Sequence, residues 1–285
     1  MRQLLGLSFK LRLGIALTLF IILLAAIEPL LRPMFIGDAN PKSYGTLPPM
    51  LDPSWEHPLG TSAYGQDMFI LLLYGLRDSL MIGGLAGMMA VSIGIVVGFT
   101  AGYKGGLFDT ILRSVTDMVL VIPTLPLLII LVAMVRVVDF IVLAVMLAIF
   151  GWAHAARVIR AQVLSMRERP YIELAQLNDE GDAEIIATEL VPNLLPYLGL
   201  VLAGGIIGAI LAETALELIG FGTGTVWTLG YLIYQALAAG MVSMGRYEAV
   251  AAPAGMLILL FLALNLINMG LEEVYNPRLR QKAAG

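Results

Sequence analysis

The sequence predicts an all-α integral membrane protein with six transmembrane helices, and three observations carry that expectation. Of 285 residues, 59% are hydrophobic and only 13% charged, with a mean hydropathy of +0.88; an ordinary soluble domain is about 25% charged. Apolar runs recur along the chain, and a helix of about 20 such residues crosses a bilayer core. Lys and Arg are spread unevenly between these runs, as they are in multi-pass proteins.

Taken in order, the spans fall near 11–31, 78–102, 114–135, 139–158, 192–214 and 247–270. The first follows Arg2, Lys10 and Arg12. It is longer than a signal-peptide core, and Glu28-Pro29 and Arg32-Pro33 follow where a small-residue cleavage site would lie. It therefore reads as an uncleaved signal anchor. With the N-terminus in the cytoplasm, twelve basic residues lie inside: Arg2, Lys10, Arg12, Lys104, Arg113, Arg157, Arg160, Arg167, Arg169, Arg278, Arg280 and Lys282. Five lie outside or at outer span ends: Arg32, Lys42, Arg77, Arg136 and Arg246. That asymmetry predicts both termini in the cytoplasm.

The connections then acquire sides. Residues 32–77, rich in Pro and Gly, read as an ordered extracytoplasmic loop. Residues 215–246 contain "ELIGFGTGTVWTLG", in which Trp227 suits either interfacial anchoring or a part in gating or docking. Residues 159–191 form a cytoplasmic loop. Within it, 169–178 has helix-forming composition, with Tyr171, Leu174 and Leu177 (or Asn178) as an apolar stripe. "NDEGD" breaks that helix, Asp182 can cap a second one over about 183–190, and Pro192 can open span five. A short helix–turn–helix below the membrane suits docking to a cytoplasmic partner; the plain alternative is a solvated connector.

Small residues recur every four positions in two spans: Ala90, Gly94, Gly98 and Gly102, and again Gly204, Gly208 and Ala212. That pattern lets helix backbones approach, and a substrate path is the other reading. Among membrane-embedded acids, Asp117 lies one turn after Arg113, a structural ion pair in prospect, and Glu213 lies near the outer end of span five.

Several chemistries are excluded. With no cysteine there are no disulfides, thiol nucleophiles or thiolate metal sites, and His57 and His154 are too few for a histidine cluster. "GFTAGYKGG" (98–106) lacks the glycine-to-lysine spacing of a phosphate loop. His154, beside Trp152 and Arg157, is most simply interfacial. No metal or cofactor is expected on the chain.

Five stretches, in order, carry a resemblance. "HPLGTSAYGQDMFILLLYGLRDSL" (57–80) is similar to a His-Pro-Leu-Gly-Thr-Asp-x-x-Gly-Arg-Asp motif, matching at His57, Pro58, Leu59, Gly60, Thr61, Gly65 and Asp67, with Ser62 for Asp and Gln66 for Arg. "GGLFDTILRSVTDMVLVIPTLPLLI" (105–129), with Asp117 and Pro123, resembles the segment that opens span three. The 159–191 loop resembles an EAA loop: Glu173-Leu174-Ala175 stands for Glu-Ala-Ala and Val191-Pro192-Asn193 for the closing Leu-Pro-Asn. The glycine of that loop falls on Asp179, with Gly181 two residues on, so either the turn is shifted or Asp179 itself takes the left-handed conformation. "AETALELIGFG" (212–222) and "NPRLR" (276–280) complete the series. Together they resemble the C-type inner-membrane permease of binding-protein-dependent ABC importers of dipeptides and oligopeptides.

The resemblance implies a permease subunit in a prokaryotic inner membrane that forms half of a path for peptides and carries no nucleotide site of its own. It implies a second permease, two ATP-binding subunits that hold ATP and Mg, an extracytoplasmic substrate-binding protein, and no nucleic acid. It divides the chain into an N-terminal helix with its extracytoplasmic loop (1–77), a five-helix core (78–275) and a tail (276–285). The coupling segment would be Glu173, Leu174, Ala175, Leu177, Asp179, Gly181 and Pro192, with Glu173 meeting the ATPase or bracing the loop. Glu213 and Asp117 would be gate or pathway residues. Permeases of this type also serve oligosaccharides and nickel. A secondary carrier driven by an ion gradient is the competing class, and it would want midplane ionisable residues and inverted repeats.

Overall fold

The computed structural model describes residues 8–135, 138–222 and 224–275; "NPRLR", the 276–285 tail, Arg2 and Arg136 lie outside them. Among the described residues, five apolar helical runs are long enough to span a bilayer: α1 (Phe9–Ile36), α2 (Met68–Lys104), α5 (Phe140–Met166), the run Asp182–Leu218, and α10 (Glu248–Tyr275). A sixth is supplied by α3 (Gly106–Val121) and α4 (Thr124–Met134) taken as one bent span. Between 22% and 44% of the most apolar window in each long helix is buried, so the rest of those surfaces is left for lipid or for other helices. The chain is thus a multi-pass helical membrane protein, as its hydropathy predicts.

Span ends depart from the hydropathy reading for local reasons. Helix α2 begins ten residues early, because the Asp67 carboxylate accepts the Ile70 N–H at 2.8 Å and caps it. Arg77 and Asp78, which look like a boundary in sequence, lie inside that helix. Span three is bent by 80° between α3 and α4. Ile122 is extended and Pro123 offers no N–H, so the helical ladder stops and restarts. Helix α5 runs on to Met166, beyond the expected end at 158.

The expected helix–turn–helix also takes a different form. Helix α6 (Pro170–Leu177) stands alone, but the second helix is no separate element. α7 (Asp182–Ile185) passes through a π turn (Ile186–Leu190) directly into α8 (Val191–Leu218). Pro192 is the second residue of α8 and opens no gap. Val191 donates to the Ile186 carbonyl five residues back, so the ladder slips one register just before the residue that cannot donate.

The two small-residue stripes part company. A methyl group on Gly94 would stand 2.6 Å from the Ala155 Cβ, and one on Gly102 would stand 2.8 Å from the Val163 Cβ. α2 and α5 therefore lie backbone to backbone. Gly204 and Gly208 of α8 face open space, in a crevice of about 300 Å³ shared with Ala212 and His154. The loop of residues 37–67, the short helix α9 (Leu229–Ala238) and the N-terminal end of α10 gather at one end of the bundle. α6 lies at the other.

Candidate functional site

α6 is built by its flanks. Arg169 is extended and Pro170 occupies the first helical position, where its missing N–H costs nothing. At the other end Asp179 N–H bonds to Gln176 O (3.1 Å) and Glu180 N–H to Ala175 O (3.3 Å), the paired bonds of a Schellman stop. Such a stop puts its first non-helical residue in the left-handed region, and Asp179 has φ +57. Of the two turn geometries open in the sequence, the structure takes this one. Gly181 is extended (φ −70, ψ 151) and stands at the N-cap of α7, the place expected for Asp182, which is the first helical residue instead.

The face that α6 buries is not the apolar stripe of Tyr171, Leu174 and Leu177. Ile172 and Ala175 are buried in a cluster with Phe99, Tyr103, Ile159 and Val163, which fixes α6 beneath α2 and α5. Gln176 Nε2 reaches the Tyr103 hydroxyl at 3.4 Å. Tyr171 packs at the margin, and burial pushes its hydroxyl pKa above the usual range. Leu174 and Leu177 point away and are 61% and 75% exposed, and Glu173 is exposed beside them. A helix of eight residues has room for one packed face, and the β-branched Ile172 takes it.

At the opposite end, the 57–67 motif is a scaffold for the start of α2. Asp67 accepts from Ile70 N–H with one oxygen and pairs with His57 Nδ1 at 2.6 Å with the other. Thr61 is buried, donates to Pro48 O (2.7 Å) and accepts from Leu51 N–H (2.9 Å). Gly60 and Gly65 both have positive φ and abut the carbonyls of Leu51 and Leu47, where no Cβ fits. Leu59 packs on the α9–α10 side, while Pro58 is exposed. The two departures in the motif touch each other: Ser62 Oγ donates to Gln66 Oε1 at 3.2 Å, and Gln66 Nε2 donates to Lys42 O at 2.9 Å.

Glu213 is buried and engaged within the chain. It accepts from the hydroxyl of Thr228, the N-cap residue of α9, and from Thr214 Oγ1 at 3.4 Å. Asp78 accepts Trp227 N–H at 3.2 Å and Ser79 Oγ accepts Leu229 N–H at 3.0 Å. Side chains of α2 and α8 thus hold residues 227–229 from below, and Trp227 is only 4% exposed rather than lying at a lipid interface. Asp117 pairs with Arg113 (3.6 Å) as the i, i+4 spacing suggests, and more closely with Arg157 of α5 (2.7 Å).

Sequence reasoning named Ala175 without its packed role, and missed Ile172, the Asp78–Ser79 pair and the Asp109–Arg160 pair across α3 and α5. A polar Asp-Ser step inside an otherwise apolar stretch was the available signal for the second. Among the described residues no group of three or more His, Asp or Glu side chains is placed to hold a metal.

Residues 94–281 match the family model described as a binding-protein-dependent transport system inner membrane component. The oligopeptide transport system permease protein OppC of Mycobacterium tuberculosis (strain ATCC 25618 / H37Rv) is 34% identical over 236 residues, covering 82% of this chain and 80% of that protein. The dipeptide transport system permease protein DppC of Bacillus subtilis (strain 168) is 28% identical over 269 residues, covering 94% and 82%. OppC of the same Bacillus strain is 26% identical over 269 residues, covering 94% and 85%.

Proposed function

The chain belongs to the binding-protein-dependent transport inner membrane components, and from that premise we propose that it is a peptide-importing permease subunit driven through α6 by a separate ATPase. Its relatives are peptide permeases of ABC importers, whose assemblies comprise permeases, ATPase and binding protein in general. The finer reading is a second permease, two ATP-binding subunits that supply ATP and Mg, and a binding protein outside. α6 then lies in the cytoplasm with both termini, as the basic residues favour, and the 57–67 scaffold faces outward.

One observation carries the coupling role. Leu174 and Leu177 protrude into solvent from a helix whose other face is fully packed. An apolar pair on a firm base is what a partner's cleft can grip and move, whereas a mere connector has no use for exposed leucine there. Glu173 adds a polar contact beside the pair, Ala175 supplies the packed base, and Asp179, Gly181 and Pro192 shape the turn and its return to the membrane. Glu213 and Asp117, engaged inside the chain, act as braces of the moving parts rather than as groups that touch cargo.

The test is Leu174→Glu with Leu177→Glu, and Glu173→Ala separately, in the co-expressed complex. Burying each leucine contributes about 1.5–3 kcal/mol, so losing both weakens ATPase docking by at least on the order of a hundredfold. We expect normal membrane insertion, poor recovery of the ATPase with the leucine variant, and peptide-stimulated hydrolysis lowered in both. Full recovery with normally stimulated hydrolysis would sink the assignment.

A further inference from the structure

At the α6 end, α2, α3 and α5 enclose a crevice of about 630 Å³. One wall is apolar, with Val97 and Ala101 of α2 and Val121 of α3. The rim is cationic, with Arg113 of α3 and Arg157 and Arg160 of α5. Arg160 is already satisfied: it holds Asp109 through two parallel bonds, one of them at 2.6 Å. The other two arginines share one carboxylate, since Asp117 lies 3.6 Å from Arg113 and 2.7 Å from Arg157. One positive charge is left over. Each guanidinium carries five N–H donors, and Asp117 engages a single nitrogen of each. Both side chains stay more than half exposed, at 64% and 56%.

An arginine pair with donors to spare above an apolar wall is chemistry for a phosphate group that carries hydrocarbon. α3 supplies the route in. Phe108, Ile111, Val115 and Met118 are all exposed along the same helix, so its outer side presents an acyl-friendly surface beside the arginines. We propose that this crevice binds the phosphate of an anionic phospholipid, with Arg113 and Arg157 on the headgroup and an acyl chain against the wall formed by α2 and α3. Basic pockets between spans are where such headgroups lodge. A bound phosphate offsets the surplus charge and clamps α3 to α5, the helix from which α6 hangs. The assignment rests on the membrane-spanning reading but not on the coupling role of α6, and the test reads lipid and no transport.

The whole complex, purified in mild detergent, is incubated with mixed micelles of phosphatidylglycerol and phosphatidylcholine, and retained lipid is counted by native mass spectrometry. We expect wild type to prefer phosphatidylglycerol, and Arg113→Gln with Arg157→Gln to lose that preference by roughly fivefold for each arginine removed. Asp117→Asn keeps the shape and frees both guanidinium groups, so it should retain more phosphatidylglycerol than wild type. A misfolded variant cannot give that gain. Equal retention by wild type and the double arginine variant, or reduced retention by Asp117→Asn, overturns the proposal. Inorganic phosphate separates the sources: a lipid site keeps its phosphatidylglycerol in millimolar phosphate. Full displacement together with no preference over phosphatidylcholine assigns the crevice to soluble phosphate esters and refutes the lipid. Cross-linking of Arg113 or Met118 positions to a sister subunit that fills the crevice refutes it as well.

Discussion

Replacing one glycine in each small-residue stripe by alanine separates packing from open space. On Gly94 the new methyl would stand 2.6 Å from Ala155 Cβ and 2.9 Å from Ala156 N. Non-bonded carbons rest at about 3.5–4.0 Å, so α2 and α5 must part by about 1 Å. Tilting gives no escape, because positions 98 and 102 on the same face are equally close, at 2.9 Å to Ala156 O and 2.8 Å to Val163 Cβ. Gly208 has nothing within 4 Å of an added methyl. Both substitutions gain the same helix propensity, about 1 kcal/mol, which cancels in the comparison. What remains is the overlap, about 1–3 kcal/mol against Gly94→Ala. At about 2–4 °C per kcal/mol for a chain of this size, the two variants should separate by several degrees in Tm. Tryptophan-fluorescence scanning in detergent measures this. Equal melting temperatures, or Gly208→Ala melting lower, would refute the assignment of the α2 stripe to packing.

Two further outcomes follow from the caps. Asp179→Gly should keep the α6 stop and match or exceed wild-type stability, whereas Asp179→Val should lose about 1–2 kcal/mol by forcing a branched side chain into the left-handed region; limited proteolysis between α6 and α7 reports the difference. Asp67→Ala should lose about 0.5–2 kcal/mol of capping and leave His57 without its carboxylate, while Asp67→Asn keeps the cap. Amide exchange at residues 68–71 should quicken in the first and hardly change in the second.

How much of this was legible follows from which forces leave a local trace. The six apolar stretches are visible because hydrocarbon demands unbroken apolar length, and a span's existence does not depend on its neighbours. Their ends were not, because they depend on partners far away in sequence. Arg77 and Asp78 resemble a boundary until Trp227, 149 residues beyond Asp78, is seen to donate to its carboxylate. Asp117 showed its helical neighbour Arg113 but hid Arg157, 40 residues away and more closely paired. In α6 the spacing of Tyr171, Leu174 and Leu177 shows an apolar stripe, but composition cannot tell a leucine meant for this chain's core from one offered to another chain. The Ser62 and Gln66 departures read as two separate losses in sequence, yet the fold makes them one contact.

The unbroken rod from Asp182 to Leu218 has a mechanical ratio built into it. It has 37 residues, about 55 Å at 1.5 Å per residue, and stays helical through the π turn at Ile186–Leu190 and past Pro196. Its backbone comes close to that of α2 at Ile206, whose nitrogen lies 3.0 Å from where a methyl on Gly87 would stand. Taken as a fulcrum, that crossing leaves an arm of roughly 36 Å toward Asp182 and one of roughly 10 Å toward Glu213. A swing at the long arm arrives at the short arm in the opposite direction, with about a third of the travel and three times the force. Glu213 accepts from the Thr228 hydroxyl, so the displacement would arrive at the start of α9. With that fulcrum the protein would be geared down: a generous stroke at one face would become a small, firm displacement at the other.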